Sequence, residues 1–184
     1  MTRSQLNPMP AYFDRYIYMT DDVTVEQALQ TSLNELEQAP LNTWQMVGSA
    51  IYEPGKWTIN DILQHIIDTE RVFCYRALSF ARGEKDVRPY DEHHYGKMAK
   101  ATQRTLEHLL EEAIAVRKAT LRLFRSFDEE MRKRIGEGFK GPYSVHSIGF
   151  ILAGHQRWHF RIIQERYLPL VLEGINSVKT HCRG

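Results

Sequence analysis

Four stretches of the chain repeat apolar residues at i, i+3, i+4 and i+7, which is the period of a helix with one buried face. The first stretch begins after Thr24, which forms the spacing of a capping box with Gln27, and Pro40 closes it. The second begins at Thr58 and runs to about Arg82. The inward face of the first helix comprises Val25, Ala28, Leu29, Ser32, Leu33 and Leu36.

Two further helices are predicted in the second half of the chain. One covers about 102–127, and the other begins at the N-cap Ser144 and runs to about Leu168, before Pro169. No stretch alternates polar and apolar residues with period two, so strands are not expected. The sequence therefore predicts an all-α fold, a four-helix bundle.

The segments between these helices are predicted as connections. Residues 40–56 have an irregular pattern, 83–100 form a long polar loop, and 137–143 contain two glycines and a proline. Residues 11–19 are rich in aromatic residues, which indicates a short helix or an ordered arm. We predict a single domain over 1–184, with its core at about 12–169, a short N-terminal extension (1–11) and a polar C-terminal tail (174–184).

Charge and cysteine content bear on the expected partners and compartment. The net charge is +1, and Lys and Arg are scattered among the acids, which disfavours nucleic acid and anionic membranes as partners. Cys74 and Cys182 lack metal-type spacing and are predicted to be reduced thiols. With neither a secretory signal nor an apolar run long enough to span a membrane, the sequence predicts a cytoplasmic protein.

His155 and His159 are the main candidates for chemistry. Four residues apart, they project from one helix face, and both fall within the apolar stripe of the fourth helix. Such a pair suits two adjacent positions on a divalent metal ion. The zinc-protease version has Glu directly after the first His, but Gln156 occupies that position, so a protease is not predicted.

His65 on the second helix is the best candidate for a third ligand, because it lies at the edge of an apolar face. Three imidazoles without a thiolate form a site that leaves positions for water or substrate. Imidazole binds nickel, zinc, iron, copper and manganese, so the ligand set does not select the ion. The alternative is that these histidines are ordinary core residues with satisfied hydrogen bonds.

Other polar residues are assigned structural roles. Glu70 and Arg166 lie within apolar stripes and are interpreted as a buried interhelical ion pair, with support of a metal site as the alternative. Asp91 to His94 form a cluster in the long loop and are predicted to be solvated, with a ligating role for its histidines as the alternative. The remaining histidines, His108, His146 and His181, are expected on the surface. Packing is the expected role of Trp57, Trp158, Tyr12, Phe13 and Tyr16.

Two segments together resemble the DinB-like superfamily of damage-inducible bacterial four-helix-bundle proteins. One is Trp57 to Glu70 (WTINDILQHIIDTE), and the other is the HxxxH helix from His155 to Tyr167. The resemblance implies an up-down-down-up bundle whose second and third helices are parallel and joined by a long crossover. It also implies a divalent metal, commonly nickel or zinc, bound by His65, His155 and His159, and frequent homodimers.

Characterised members of the superfamily that this chain resembles include S-transferases using low-molecular-weight thiols and metal hydrolases. The resemblance therefore implies a metal-dependent enzyme of one of these classes acting on a small molecule. The alternative is a non-catalytic metal-binding bundle, such as a stress-response or partner-binding protein. No residue is assigned to catalysis or to an organic cofactor.

Overall fold

In the computed structural model, which describes residues 1–138 and 140–171, four long helices form the bundle. They are α2 (Val25–Glu37), α4 (Ile59–Ala81), α6 (Leu106–Arg125) and α8 (Val145–Ile162). The N-caps Thr24, Thr58 and Ser144 accept hydrogen bonds from backbone amides in the first turn of their helices, as the sequence predicts. The third helix begins at residue 106, not 102, because Thr105 provides its cap.

Pairing between the helices establishes their directions. The residues of α4 and α6 that bond to each other rise in number in the same direction. They are Gln64 with Arg104, Arg71 with Glu112, and Cys74 with Thr120. These two helices are therefore parallel. Contacts between α2 and α8 also advance together, with Val25 beside Gly149 and Glu35 bound to Arg157.

The other two neighbouring pairs are antiparallel. His65 near the start of α4 meets His155, while Phe80 near its end packs on Tyr143 just before α8. Arg117 in mid-α6 bonds Ser32 in α2, and Phe124 and Val25 meet across Gly149. The order is thus up-down-down-up, which confirms the four-helix bundle and its crossover.

Shorter elements lie in the predicted connections. The first connection contains α3 (Leu41–Val47), which buries Trp44 and Val47, and the polar loop contains α5 (Glu92–Ala99). The glycine-rich break is a two-stranded antiparallel hairpin of β1 (Ile135–Gly138) and β2 (Gly141–Ser144). The predictions of irregular structure at these places, and of a chain without strands, were therefore wrong.

The remaining elements are α1 (Asp14–Ile17), which confirms the predicted N-terminal helix, and α7 (Glu129–Lys133). A π-helical turn (Ile163–Tyr167) follows α8. Because this wide turn shifts the phase of the helix, Arg166 is exposed, and the prediction that it lies in a buried stripe was wrong. His146 was expected on the surface but is 2% exposed and stacks on Phe150.

Two buried clusters form the core, one around α1, α2 and the end of α4, the other around α3 and the start of α4. None of the helices in the described residues has the length and apolarity needed to cross a bilayer. The predicted C-terminal tail, with Cys182 and His181, lies outside the described residues.

Candidate metal centre

The three predicted ligands converge between α4 and α8. His65 is on the second turn of α4, and His155 and His159 are on successive turns of α8. The Nε2 atom of His155 lies 3.0 Å from that of His65 and 3.1 Å from that of His159. Within the described residues, they are the group of metal-ligating side chains whose donor atoms all lie within 4.8 Å of one another.

These distances fit a single metal ion. Imidazole nitrogens at about 2.0–2.1 Å from an ion are about 2.9 Å apart at a right angle and about 3.4 Å apart at a tetrahedral angle. The separations of 3.0 and 3.1 Å lie between these limits, and the third pair, His65 and His159, lies within 4.8 Å. The set contains no thiolate or carboxylate, so three neutral nitrogens would leave part of the coordination shell open.

Burial keeps the three imidazoles neutral, the form that binds a metal. Loss of solvation lowers the pKa of His65 to about 3 and that of His159 to about 4. The same cause, followed by the neighbouring histidines, lowers the pKa of His155 well below its usual range. Each neutral ring keeps one nitrogen lone pair that a metal ion can use, and the three Nε2 atoms face one another.

The outer nitrogens of the triad have different surroundings. The Nδ1 atom of His65 lies 3.4 Å from the Thr69 hydroxyl, which lies 3.4 Å from the hydroxyl of Tyr90. If Nδ1 of His65 carries the proton and donates it to Thr69, the Nε2 lone pair of His65 is left for a metal ion. By contrast, the Nδ1 atom of His159 is buried without a partner.

Aromatic side chains hold the rings in place. The Trp57 ring lies 4.8 Å from that of His65, and the Tyr16 ring lies edge-on 5.1 Å from that of His155. The contact with Tyr16 depends on Gly154, since a Cβ there would lie 1.8 Å from the Tyr16 carbonyl oxygen. The sequence predicts a packing role for Tyr16 and Trp57, and both pack against the triad.

Two cavities reach the triad from different sides. One, here called the tyrosine cavity, has a volume of about 480 Å³ and is bordered by His155, Thr69 and the aromatic residues Tyr12, Phe13 and Tyr16. The other, the tryptophan cavity, has a volume of about 300 Å³ and is bordered by His65, His159 and Trp57. The site is therefore accessible to small molecules.

The start of α5 lies where the two cavities meet. Glu92 and His93 border both of them, and the Asp91 carboxylate caps the helix by accepting bonds from the amides of His93 and His94. This loop cluster is solvent-exposed, as predicted, and it is also part of the cavity walls. Its position could not be inferred from the sequence, because no residue of α5 is buried.

Glu70 forms a buried interhelical ion pair, as the sequence predicts. Its partner is Arg117 and not Arg166. Arg117 of α6 donates from Nε and Nη2 to the two carboxylate oxygens of Glu70, at 2.7 and 2.8 Å. Thr120 donates to the same carboxylate at 2.6 Å, and Arg117 also binds Ser32. Glu70 is thus part of a saturated ion pair next to the triad.

Comparisons with known proteins agree with this fold. The chain is similar in structure to YfiT from Bacillus subtilis, described as a probable metal-dependent hydrolase with an unusual four-helix bundle topology. The TM-score is 0.63 at 15% sequence identity, over 93% of this chain and 92% of that one. No curated protein matches the sequence. The model of the DinB superfamily matches residues 11–163, and the chain therefore belongs to that superfamily.

Proposed function

We propose that the chain is a metal-dependent enzyme that acts on a small molecule, by hydrolysis or by transfer of a thiol. The observation that carries this proposal is the convergence of three neutral imidazole nitrogens at the walls of two cavities. A metal held only for stability has a closed coordination shell, whereas this donor set is incomplete and reachable. The description of YfiT as a probable metal-dependent hydrolase supports the same class.

The residues of the chain would bind and orient the reactants. His65, His155 and His159 would hold a divalent ion, which when bound would act as a Lewis acid and lower the pKa of a water or thiol ligand. Thr69 fixes the orientation of His65, and Tyr16 fixes that of His155. The aromatic walls of the tyrosine cavity would exclude water from the apolar part of a substrate.

The nucleophile would come from outside the protein. Burial, followed by the nearby Glu70 charge, raises the pKa of Cys74 to about 12, so this thiol stays protonated and unreactive. Nor does Cys74 border either cavity. Glu92 is the carboxylate that borders both, and we assign it the role of accepting the proton of the incoming water or thiol.

Metal analysis tests the site. Full-length protein purified without a polyhistidine tag should contain about one divalent ion per chain by elemental mass spectrometry. The variant His155→Ala/His159→Ala should contain almost none. The matched control His94→Ala/His108→Ala also removes two imidazoles, but from exposed positions, and should retain the metal. Equally low metal in all three proteins would contradict the proposal.

A substrate panel tests the enzymatic role. Metal-loaded protein should either release product from activated esters and lactones without thiol, or consume thiol when offered electrophiles. The first result indicates a hydrolase and the second a transferase. Either activity should be lost in His155→Ala/His159→Ala and retained in the control. A metal-loaded protein that turns over no member of either panel would favour a non-catalytic metal-binding bundle.

A further inference from the structure

Arg76 is a buried cation without a counter-charge. Its side chain is 2% exposed, and it donates from Nη1 to the hydroxyl of Tyr143 at 3.1 Å and from Nη2 to the carbonyl oxygen of Arg88 at 3.2 Å. Its Nε atom has no acceptor. Among the ion pairs of the described residues, none includes Arg76.

Both acceptors of Arg76 are neutral. One is a backbone carbonyl, and the other is a phenol, because burial raises the pKa of Tyr143 above its usual value and keeps the hydroxyl protonated. Arg117, the other arginine of similar burial, is paired with both oxygens of Glu70. Placing an arginine out of water without an anion is unfavourable, so an unpaired one indicates a missing negative partner.

Arg76 borders the tyrosine cavity, where such a partner could bind. Thr69, Phe73 and Arg76 follow one another along α4 on the cavity side. Seven residues of α-helix span about 10 Å, so Arg76 is separated by about that distance along the axis from the Thr69 end, where His155 lies. A small organic molecule could therefore contact both.

The rest of the wall indicates the character of that molecule. The rings of Tyr12, Phe13, Tyr16, Phe73 and Tyr90 line the space between the two ends. Lys140 adds a second positive charge to the lining, whereas the acidic side chains, Asp91 and Glu92, are on exposed positions of the lining. A molecule with an apolar body and one negatively charged end matches this distribution.

We propose that the tyrosine cavity binds a carboxylate-bearing small molecule, with its carboxylate on Arg76, its body between the aromatic walls and its reactive group at His155. Arg76 is the buried cation of the lining, whereas Lys140 is exposed, so the buried end of the cavity has one positive charge to be matched, which favours a carboxylate over a phosphate monoester. The Nε–H of Arg76, which has no acceptor, and the adjacent Nη are the donors that a carboxylate would use. The inference rests on the proposed function, for which it specifies a substrate class.

The test compares 3-phenylpropionate with its neutral amide by isothermal titration of full-length protein, both as purified and after chelation. Wild-type protein should bind the carboxylate at least tenfold more tightly than the amide. The variant Arg76→Gln should lose this preference. Arg88→Gln removes a neighbouring charge that does not border the tyrosine cavity, and it should retain the preference.

Three results would overturn the proposal. The first is equal affinity of wild-type protein for the acid and the amide. The second is an intact preference in folded Arg76→Gln or, if that variant does not fold, in Arg76→Met. The third is tighter binding of phenyl phosphate than of 3-phenylpropionate. Because chelated protein lacks metal, carboxylate binding there tests Arg76 independently of the metal centre, and a missing metal alone would leave it intact.

Discussion

Two buried polar clusters lie next to each other on α4, and they differ in how completely their polar atoms are satisfied. The ion-pair cluster, comprising Glu70, Arg117, Thr120 and Ser32, neutralises its charges and bonds both carboxylate oxygens. In the histidine cluster, the Nε2 atoms of three imidazoles converge and the Nδ1 atom of His159 has no partner. Both clusters are inside the bundle, yet only the first is complete without a ligand.

The difference separates structural from functional polar residues more clearly than burial does. A buried charge with every partner supplied by the chain holds helices in register. A buried set of donors whose partners are missing requires a ligand to supply them. Arg76 follows the pattern of the histidines, because its acceptors are neutral and its Nε is unpaired.

The largest expected loss of stability follows from a substitution in the ion-pair cluster. Glu70→Gln leaves the Arg117 guanidinium buried without a counter-charge, which should lower the free energy of unfolding by about 3–5 kcal/mol. The double variant Glu70→Gln/Arg117→Met removes both charges and should recover much of that loss. Urea denaturation at pH 7 measures both values.

Metal content provides the control for this prediction. Folded Glu70→Gln should still bind metal, because its change does not touch the three imidazoles. A loss in stability below about 1 kcal/mol would show that the ion pair is not the structural element described here. A loss of metal without a loss of stability would show that Glu70 supports the metal site.

A substitution in the histidine cluster should cause a smaller loss of stability, and only when metal is present. A ligand that binds only the folded state at 100 times its dissociation constant stabilises that state by about 2.7 kcal/mol. Nickel or zinc at that excess should therefore raise the melting temperature of chelated wild-type protein. His159→Ala should lose most of this increase, while its stability without metal should change little, because the change removes an imidazole whose Nδ1 atom is buried without a partner.

His108→Ala is the matched control for this measurement, since it removes an exposed imidazole. It should retain the full response to metal. If His159→Ala destabilises the chelated protein as strongly as Glu70→Gln does, the histidine cluster contributes to folding in the same way as the ion pair. The contrast between the two clusters would then be wrong.

The sequence predicted the parts of the fold that depend on local pattern. The caps and apolar faces of α2 and α4 were predictable because each helix buries one side and begins at a side chain that caps it. The helix α5 was not predictable, because none of its residues is buried and it therefore lacks an apolar stripe. The hairpin was not predicted either, since its strands are only four residues long.

The convergence of the three histidines was also predictable from local pattern, because two histidines within an apolar stripe are unusual. Which residues pair between distant segments was not predictable from the sequence. Arg117 as the partner of Glu70 depends on the register of α4 and α6, and the outward position of Arg166 depends on the π-helical turn. In the sequence, Arg76 resembles Glu70, since both are charged residues near an apolar helix face. That Arg76 lacks a counter-charge is seen only in the three-dimensional structure.

The smallest effect concerns Cys74, whose thiol lies 3.2 Å from the Thr120 hydroxyl of the ion-pair cluster. Burial raises its pKa to about 12, so at pH 8 the folded state has far less thiolate than the unfolded state, whose pKa is near 9. In a Cys182→Ser background, a disulfide reagent should react with Cys74 at least 100-fold more slowly in native protein than in urea. The raised pKa also means that unfolding releases this proton above pH 9, so its contribution to stability decreases as the pH rises further. Fast reaction of the native thiol at pH 8 would show that water and reagents enter the ion-pair cluster, which would then be no better sealed than the histidine cluster.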